Sequence, residues 1–449
     1  MRIPSSFSAV WIGLFILAGC VQSVDTDTDT DTDTDKNWAG GETHITYVQG
    51  DDGRIAVQVS LPLEPRFETG AAVVVHANTF FTPTGRFDDW PELSEHGIIH
   101  VSLMYPGLTE PGGGSSEGEY DHGGPISLAA LRDVIRYAGG AIPDADGQTL
   151  AETSLIPVDA SNLGLFAFSH PGIAATRVLA THGEDLPKVS WFVGRENPTE
   201  ASLSAVEVGH WDDTSAAVQN PVYNPATDYR GTGLRIDYSS VRWAEGWTEE
   251  SGSNPGRPYF DLDGSKTPND GDYILGPRIP TMYDQRVYST ELLRALEASL
   301  GSEKWPEDVM TADDAEALWA ERITTNIYGN LKDTAPDLHV LLVFAEEDHV
   351  QPAPDKPHIH QAWDGFSKAA GLWVRLNPDS AYVSHVGGIA TVENPAQTAP
   401  TNWLDLSDWA YPNVKDANRD YPLAAVLEMA DRTAYESWAT ADLSAVLHE

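Results

Sequence analysis

The chain has 449 residues, of which 41% are hydrophobic and 21% charged, a mixture that excludes a disordered or fibrous protein and allows a sizeable core. It carries 68 acidic side chains against 27 basic ones, which gives a formal net charge of -41. A surface this acidic repels nucleic acid and anionic lipid, so neither is expected as a partner.

The amino terminus predicts export from the cell. An apolar run over 10–17 is too short to remain as a membrane span and is typical of a signal peptide covering residues 1–19. The sequence Leu17-Ala18-Gly19-Cys20 resembles the bacterial lipobox, which implies that a diacylglycerol is attached to Cys20. Cys20 is also the only cysteine, so it has no disulfide partner within the chain. An uncleaved anchor or an ordinary secretory signal is the alternative.

The segment after the predicted cleavage site is expected to be a tether over residues 20–41. It contains a strict Asp-Thr alternation over 25–35, which has no apolar residue to bury and whose charges repel one another. Calcium binding by these carboxylates is disfavoured because the repeat lacks glycine turns. By resemblance to Gram-negative lipoproteins, Val21 favours the outer membrane. We therefore expect a lipid-anchored protein of the bacterial cell envelope, facing the periplasm or the exterior.

Residues 42–449 show the alternating pattern of an α/β domain. Alternation of apolar and polar residues over 44–48 and 54–61, around a turn at 50–53, predicts an antiparallel hairpin at one sheet edge. Near-continuous apolar runs predict buried parallel strands over 71–76, 98–104, 163–168, 189–193, 339–345 and 372–376. Helical patterns cover 87–96, 127–137, 174–180, 360–370 and 422–438. The succession predicts a mostly parallel sheet flanked by helices.

A long insertion interrupts this succession at about 195–336, before the next predicted strand. Structureless loops of that length are uncommon in compact domains. The insertion contains five tryptophans and two helical patterns, over 289–300 and 312–323. We expect a large helical, Trp-rich cap or lid over the active site. A lateral extension that only adds stability is the alternative.

A predicted strand over 163–168 runs directly into Ser169 and then into a helix start, Pro171-Gly172. This stretch resembles the nucleophile elbow of the α/β-hydrolase family, in which a serine lies on a strained strand-to-helix turn with small residues two positions away on each side. Ala167 fits that pattern. Pro171 departs from it, although proline is tolerated in the first turn of a helix. The resemblance implies an α/β-hydrolase fold with Ser169 as nucleophile.

The same resemblance implies an acid and a base for Ser169, in the chain order Ser, Asp, His. The strand ending near 345 is followed by Asp348, which we take as the acid. Glu346 and Glu347 compete with it but are expected to face solvent. After the last strand, His385 lies before two glycines and is taken as the base.

Hydrolysis also needs donors for the oxyanion that forms on the attacked carbonyl. One is expected to be the backbone N–H of His170, immediately after the nucleophile. The second is expected from the loop after the strand 71–76, where His76-Ala77-Asn78 resembles the family's His-Gly-x turn. We take the backbone N–H of Asn78 as that donor.

One loop of the insertion has the spacing of a calcium site, although catalysis itself is expected to need no cofactor. The stretch 261–272 places oxygen-bearing residues at loop positions 1, 3, 5, 7, 9 and 12. A structural calcium ion would take ligands from Asp261, Asp263, Ser265, Thr267 and Asp272. Lys266, however, stands at the sixth position, where a calcium loop needs glycine. An acidic surface turn is the alternative. His358 and His360 are expected to be a solvent-facing pair rather than metal ligands.

These features predict an exported serine hydrolase that cleaves carboxylic esters through an acyl-enzyme on Ser169. The substrate is expected to be a small molecule or a peptide. A secreted serine peptidase or amidase of the dipeptidyl- or acylaminoacyl-peptidase type shares the same elbow and is a second interpretation. A third is a surface-binding lipoprotein that keeps the fold without the chemistry.

Overall fold

The computed structural model describes residues 37–78, 83, 85–88, 90–200, 207–212, 214–224, 236–248, 255–276, 279–352, 355–390, 406, 409–411, 417–439 and 446–447. The predicted signal peptide, Cys20 and the Asp-Thr repeat lie outside this set. Within it, no helix is both long and apolar enough to cross a membrane. Trp38 packs into the folded body, because its side chain is buried and its backbone N–H donates to the Thr153 carbonyl at 2.7 Å.

The first part of the body contains the predicted hairpin and the first parallel strands. The strands are β1 (Thr43–Gly50), β2 (Gly53–Ser60), β3 (Ala71–Ala77), β4 (Ile99–Leu103), β5 (Val158–Phe168) and β6 (Trp191–Arg195). The helices are α1 (Pro125–Ala138), α2 (Leu150–Thr153) and α3 (Pro171–His182), with 3-10 helices at Leu93–His96 and Gly183–Asp185. The helix predicted over 87–96 is only the short Leu93–His96 turn, because Pro91 cannot donate the backbone hydrogen bond that a longer helix needs.

The insertion between β6 and the next strand of the main sheet is mixed rather than helical, so that part of the prediction is wrong. Its strands are β7 (Gly209–Trp211), β8 (Ala217–Gln219), β9 (Val241–Thr248), β10 (Pro255–Phe260), β11 (Tyr273–Ile274), β12 (Thr281–Met282) and β13 (Gln285–Arg286). Its helices are α4 (Thr290–Leu300), α5 (Ala312–Ala320) and α6 (Leu331–Thr334), with 3-10 helices at Ser302–Lys304 and Tyr328–Asn330. The strands form three small antiparallel sheets. Aromatic and β-branched residues such as Val241 and Tyr259 favour strands there.

The last part of the chain completes the main sheet and covers it. Its elements are the strands β14 (His339–Val343) and β15 (Trp373–Leu376) and the helices α7 (Pro357–Trp363), α8 (Ser380–His385) and α9 (Ala417–Ala434), with a π-helical turn at Asp364–Ala369 after α7.

The main sheet has eight strands in the order β1-β2-β4-β3-β5-β6-β14-β15. The first two are antiparallel, β2 is antiparallel to β4, and the other neighbours are parallel, which confirms the predicted edge hairpin and parallel sheet. The sheet is tightly packed, since a Cβ at Gly164 would lie 2.3 Å from the Trp191 ring. Because parallel strands end at one edge, the residues that follow β3, β5, β6 and β14 are brought together there.

A buried histidine beside this edge makes stability depend on pH. His76 on β3 is 1% exposed and packs against the rings of His100 and Phe166. Burial lowers the pKa of His76 to about 3, although a hydrogen bond with the Asp88 backbone opposes the shift. Between pH 6.5 and pH 3 the unfolded chain therefore binds a proton that the folded chain does not, so stability falls as the pH falls through that window.

We expect His76→Phe to flatten this dependence. Relative to pH 8, wild type should lose about 2 to 3 kcal/mol more unfolding free energy at pH 4.5 than the variant does. Urea unfolding across that range measures the difference. His385→Gln, at an exposed histidine, is the matched control and should follow wild type. Parallel pH profiles for wild type and His76→Phe would contradict the prediction.

Candidate active site

Ser169 lies on a strained turn between β5 and α3. Its φ angle is +62°, in the left-handed region that residues other than glycine rarely adopt. The strand ends at Phe168, and the helix begins at Pro171, where the missing N–H of proline costs no helical hydrogen bond. The Ser169 N–H donates to the Arg195 carbonyl at 2.8 Å, so the turn is held against the end of β6.

The side chain of Asn197 fills the space beneath this turn. Its Nδ2 donates to the carbonyl oxygens of Ser169 at 2.8 Å, Arg195 at 3.1 Å and Ala167 at 3.2 Å. A Cβ at Gly172 would lie 2.1 Å from Asn197 Cγ. The position that must lack a side chain is therefore Gly172. Pro171, the irregular position of the sequence motif, is the first residue of the helix.

The histidine beside Ser169 is His349. Its Nε2 lies 3.0 Å from Ser169 Oγ, and its Nδ1 lies 3.6 Å from Asp348 Oδ2. The ring packs on Phe168 with centroids 4.7 Å apart, and the side chain is 30% exposed. His349 is not among the site residues predicted from the sequence. Its position directly after Asp348 nevertheless indicates that the two side chains can belong to one site.

His385, the predicted base, lies elsewhere. It is the last residue of α8 and is exposed. In the described part of the chain His385 is not among the residues that line the pocket around Ser169. The histidine that contacts Ser169 Oγ is His349.

Asp348 is a buried carboxylate held by backbone donors. Its Oδ1 accepts hydrogen bonds from the N–H groups of Val350 and Gln351, both at 2.6 Å. Burial by itself would raise the pKa of Asp348, but the imidazoles of His349 and His358 hold it well below its usual range. The carboxyl group is therefore an anion beside His349. Glu346 and Glu347 are exposed, as the sequence predicted.

A second buried pair lies behind Asp348. His358 Nε2 is 2.8 Å from Glu196 Oε2 and 3.6 Å from Asp348 Oδ2. Burial and the nearby Asp348 charge raise the pKa of Glu196, against the opposing effect of His358. One imidazole and two carboxylates with ligand atoms within 4.8 Å of one another are a donor set that suits a divalent metal ion. The short contact between His358 and Glu196 leads us to interpret the set as a hydrogen-bonded network.

The prediction of a solvent-facing histidine pair at 358 and 360 is wrong. His358 is 2% exposed and His360 is 7% exposed. Both lie in the first turn of α7, which begins at Pro357 and is buried throughout. His358 is oriented toward Glu196, and His360 Nε2 lies 4.0 Å from Asp364 Oδ2. No periodicity in the sequence marks this helix as an interior one.

The two predicted oxyanion donors come just after the ends of the neighbouring strands β3 and β5. The strand register pairs Ala77 with Ala167, so Asn78 comes next to Phe168, one position before the serine. His170 follows Ser169 directly and lines the same open pocket. The pocket is lined by Ser169, His170, Glu196, Pro198, Asp348, His349, Val350, Gln351 and His358. The use of the two backbone N–H groups as oxyanion donors stays a prediction.

The insertion contacts the loops around this pocket. The Trp211 indole N–H donates to the Asp348 carbonyl at 2.8 Å. The Tyr223 hydroxyl donates to Asp355 at 2.5 Å, farther along the same loop. The Arg322 guanidinium donates to the carbonyls of Asp121 and His122, just before α1. Whether the insertion acts as a lid stays a prediction.

No family model matches the sequence, and no curated protein matches it. Solved structures that this chain matches in part include an α/β serine hydrolase without a lid from Xanthomonas campestris, with 21% identity and a TM-score of 0.25 over 35% of this chain and 62% of that one. The esterase of Pyrobaculum calidifontis shares 11% identity, with a TM-score of 0.35 over 90% of this chain and 88% of that one. Dipeptidyl peptidase 4 of Porphyromonas gingivalis shares 8% identity, with a TM-score of 0.36 over 75% of this chain and 31% of that one.

The eight-stranded order with an antiparallel edge pair, and the left-handed serine between β5 and α3, define the α/β-hydrolase fold in this chain.

The fit between Gly172 and Asn197 can be tested by a double-mutant cycle. Gly172→Ala alone should lower the unfolding free energy by about 1 to 3 kcal/mol, because its Cβ overlaps Asn197. In an Asn197→Ala background the same change should cost little, since alanine otherwise favours helix. Urea unfolding of the four proteins gives the interaction energy, which we expect to be at least about 1 kcal/mol. Additive effects would show that the two residues do not share this space.

Proposed function

We propose that the protein is a serine hydrolase that cleaves carboxylic esters through an acyl-enzyme on Ser169, with His349 as the base and Asp348 as the acid. The observation that carries the proposal is the 3.0 Å contact between Ser169 Oγ and His349 Nε2 on a left-handed turn. A serine hydroxyl is a weak nucleophile unless a base within hydrogen-bond reach accepts its proton. The strained turn positions the hydroxyl in the pocket, where such a base is present.

In the first half of the reaction His349 Nε2 takes the proton of Ser169 as Oγ attacks the ester carbonyl carbon. The carbonyl π-electron pair moves onto oxygen, and the backbone N–H groups of His170 and Asn78 stabilise that oxyanion. When the tetrahedral intermediate collapses, the bond to the alcohol oxygen breaks. The alcohol leaves with the proton held on His349, and Ser169 remains acylated.

In the second half a water molecule replaces the alcohol. His349 Nε2 accepts a proton from this water as its oxygen attacks the acyl carbon. Collapse of the second intermediate breaks the bond to Ser169 Oγ, which regains its proton from His349. The carboxylic acid leaves, and the site returns to its starting state.

Asp348 stabilises the imidazolium that His349 becomes in each half of the cycle. Its low pKa keeps it anionic, and two backbone N–H donors fix its orientation. The 3.6 Å separation from His349 Nδ1 shortens to a hydrogen bond with a small turn of the ring, as catalytic contacts often tighten when substrate binds. Glu196 and His358 support Asp348 from the buried side.

The proposed setting is the bacterial cell envelope, with the chain anchored by lipid on Cys20 and tethered by the Asp-Thr repeat. Substrate preference is best measured with chromogenic acyl esters of increasing chain length and with matched aminoacyl amides. Ester turnover that depends on Ser169 supports the proposal. Turnover of amides alone would replace it with the peptidase interpretation.

Three variants test the nucleophile and the base. Ser169→Ala should lose covalent labelling by a fluorophosphonate probe, because the probe phosphonylates an activated serine. His349→Gln should lower kcat/KM for an ester by about 10⁴-fold or more, since no other base contacts Ser169 in the described part of the chain. His385→Gln is the matched control and should keep both labelling and turnover within about twofold of wild type, the scatter expected for a distant surface change.

Loss of turnover in His385→Gln with turnover retained in His349→Gln would make His385 the base. Equal labelling of wild type and Ser169→Ala would end the catalytic proposal and favour a binding protein. Circular dichroism of each variant separates loss of chemistry from loss of folding.

The assignment of the acid makes a second prediction. Asp348→Asn should lower kcat/KM by about 10³ to 10⁴-fold, because an amide cannot stabilise the His349 cation. Glu347→Gln removes the same charge from the adjacent exposed residue and should retain turnover. Glu196→Gln distinguishes the two buried carboxylates, and we expect a smaller loss because Glu196 contacts His358 rather than His349. A larger loss for Glu196→Gln than for Asp348→Asn would make Glu196 the acid.

A further inference from the structure

The stretch 261–272 in the insertion is a closed loop between two paired strands. Phe260, the last residue of β10, is the cross-strand partner of Tyr273, the first residue of β11. All twelve loop residues lie between these partners. The two ends of the loop are therefore held next to each other by the pairing of β10 with β11. The loop closes on itself.

Several oxygen atoms of the loop surround one point. Single carboxylate oxygens of Asp261, Asp263 and Asp272 lie within 4.8 Å of one another. The Asn269 Nδ2 group lies 3.3 Å from Asp263 Oδ2, 3.4 Å from Ser265 Oγ and 3.2 Å from the Thr267 carbonyl oxygen. The Asn269 NH₂ group, which carries partial positive charge, therefore lies among three oxygen atoms, as a bound cation would.

Asp261 provides an independent observation that the loop is incomplete as it stands. The residue is 6% exposed, and its Oδ1 makes no hydrogen bond within the described part of the chain. Its other oxygen accepts the Lys266 N–H at 3.2 Å and lies 4.0 Å from Arg242 Nε. A buried carboxylate oxygen without a partner costs free energy. Asp261 is one of the three carboxylates that each place an oxygen within 4.8 Å of the others. A bound cation would complete it.

Lys266 stands at the sixth loop position, where a calcium loop needs glycine, but its backbone has the conformation that glycine provides there. Lys266 has a φ angle of +62°, so the chain makes there the left-handed turn for which a calcium loop uses glycine. The twelfth residue, Asp272, is held by the N–H groups of Leu262 and Asn269 at 2.9 and 3.0 Å. Each of its carboxylate oxygens keeps a second lone pair for a metal.

We infer that the loop 261–272 binds one calcium ion through Asp261, Asp263, Ser265, Thr267 and Asp272. The donors are all oxygen, with three carboxylates, a hydroxyl and a backbone carbonyl, which is the hard ligand set that Ca²⁺ prefers. Magnesium demands a near-ideal octahedron and retains its waters, so a site made of five protein oxygens suits it less well. The ion is structural, since none of its ligands is among the residues that line the pocket of Ser169.

The test is calorimetric titration of Ca²⁺ into the chelator-treated full chain at about 0.15 M salt, which screens diffuse attraction to the acidic surface. We expect one ion per chain, with a Kd between about 10⁻⁶ and 10⁻³ M. The thermal midpoint should rise with added calcium and fall with chelator. Magnesium at the same concentration should produce a smaller rise.

Two ligand variants and one control locate the ion. Asp263→Asn, at an exposed ligand, should weaken binding at least tenfold, and Asp261→Asn should do the same at the buried one. Asp270→Asn removes an equal charge from the tenth loop position, outside the ligand set, and should bind calcium as wild type does. If Asp261→Asn does not fold, the comparison of Asp263→Asn with Asp270→Asn still tests whether the loop binds calcium.

The inference is overturned if wild type takes up no calcium and its melting is insensitive to chelator. It is also overturned if Asp270→Asn weakens binding as much as Asp263→Asn does, because that would show attraction to net charge rather than a site. Both outcomes are independent of the hydrolase proposal, since neither uses turnover.

Discussion

One side-chain amide holds the turn on which the proposed chemistry depends. Asn197 Nδ2 is shared among three carbonyl oxygens, on β5, on the turn itself and on β6. The close approach leaves no space for a side chain at Gly172 or at Gly194, whose Cβ would lie 2.1 Å from Asn197 Oδ1. A serine at φ +62° stores backbone strain, and the surrounding structure must supply the compensation. Asn197 supplies it directly beneath Ser169.

Three consecutive residues at the end of β6 support different parts of the site. The Arg195 guanidinium lies 4.3 Å from the Phe168 ring centroid, and Phe168 in turn packs on His349. Glu196 pairs with His358, which faces Asp348. Asn197 holds the serine turn. Because β6 lies between β5 and β14, its carboxyl end adjoins both the turn of Ser169 and the loop of Asp348. The neighbouring strand thus aligns two loops that are distant in sequence.

The sequence predicted the features that depend on local patterns. The buried strands, the serine turn and Asp348 are each marked by an apolar run and the residues just after it. His349 was missed because no local pattern shows that the residue after Asp348 turns toward Ser169. The predicted His385 instead ends α8, a helix that the Asp379 side chain caps and whose Asp379 N–H donates to Glu428 of α9. The burial of His358 and the strands of the insertion likewise depend on tertiary contacts.

The loop that carries Asp348 and His349 is held from two sides. On one side Asp348 lies 3.6 Å from His358 of α7, and the N–H of Ala345, just before the loop, donates to Glu196. From the insertion, the Trp211 indole binds the Asp348 carbonyl, and the neighbouring His210 contacts the Tyr273 hydroxyl at 3.2 Å. Tyr273 directly follows the loop 261–272. A calcium ion in that loop would therefore fix a hairpin that is linked to Asp348 by two hydrogen bonds, one at His210 and one at the adjacent Trp211. The insertion therefore stabilises the proposed active site through the loop of Asp348, and this role does not require it to act as a lid.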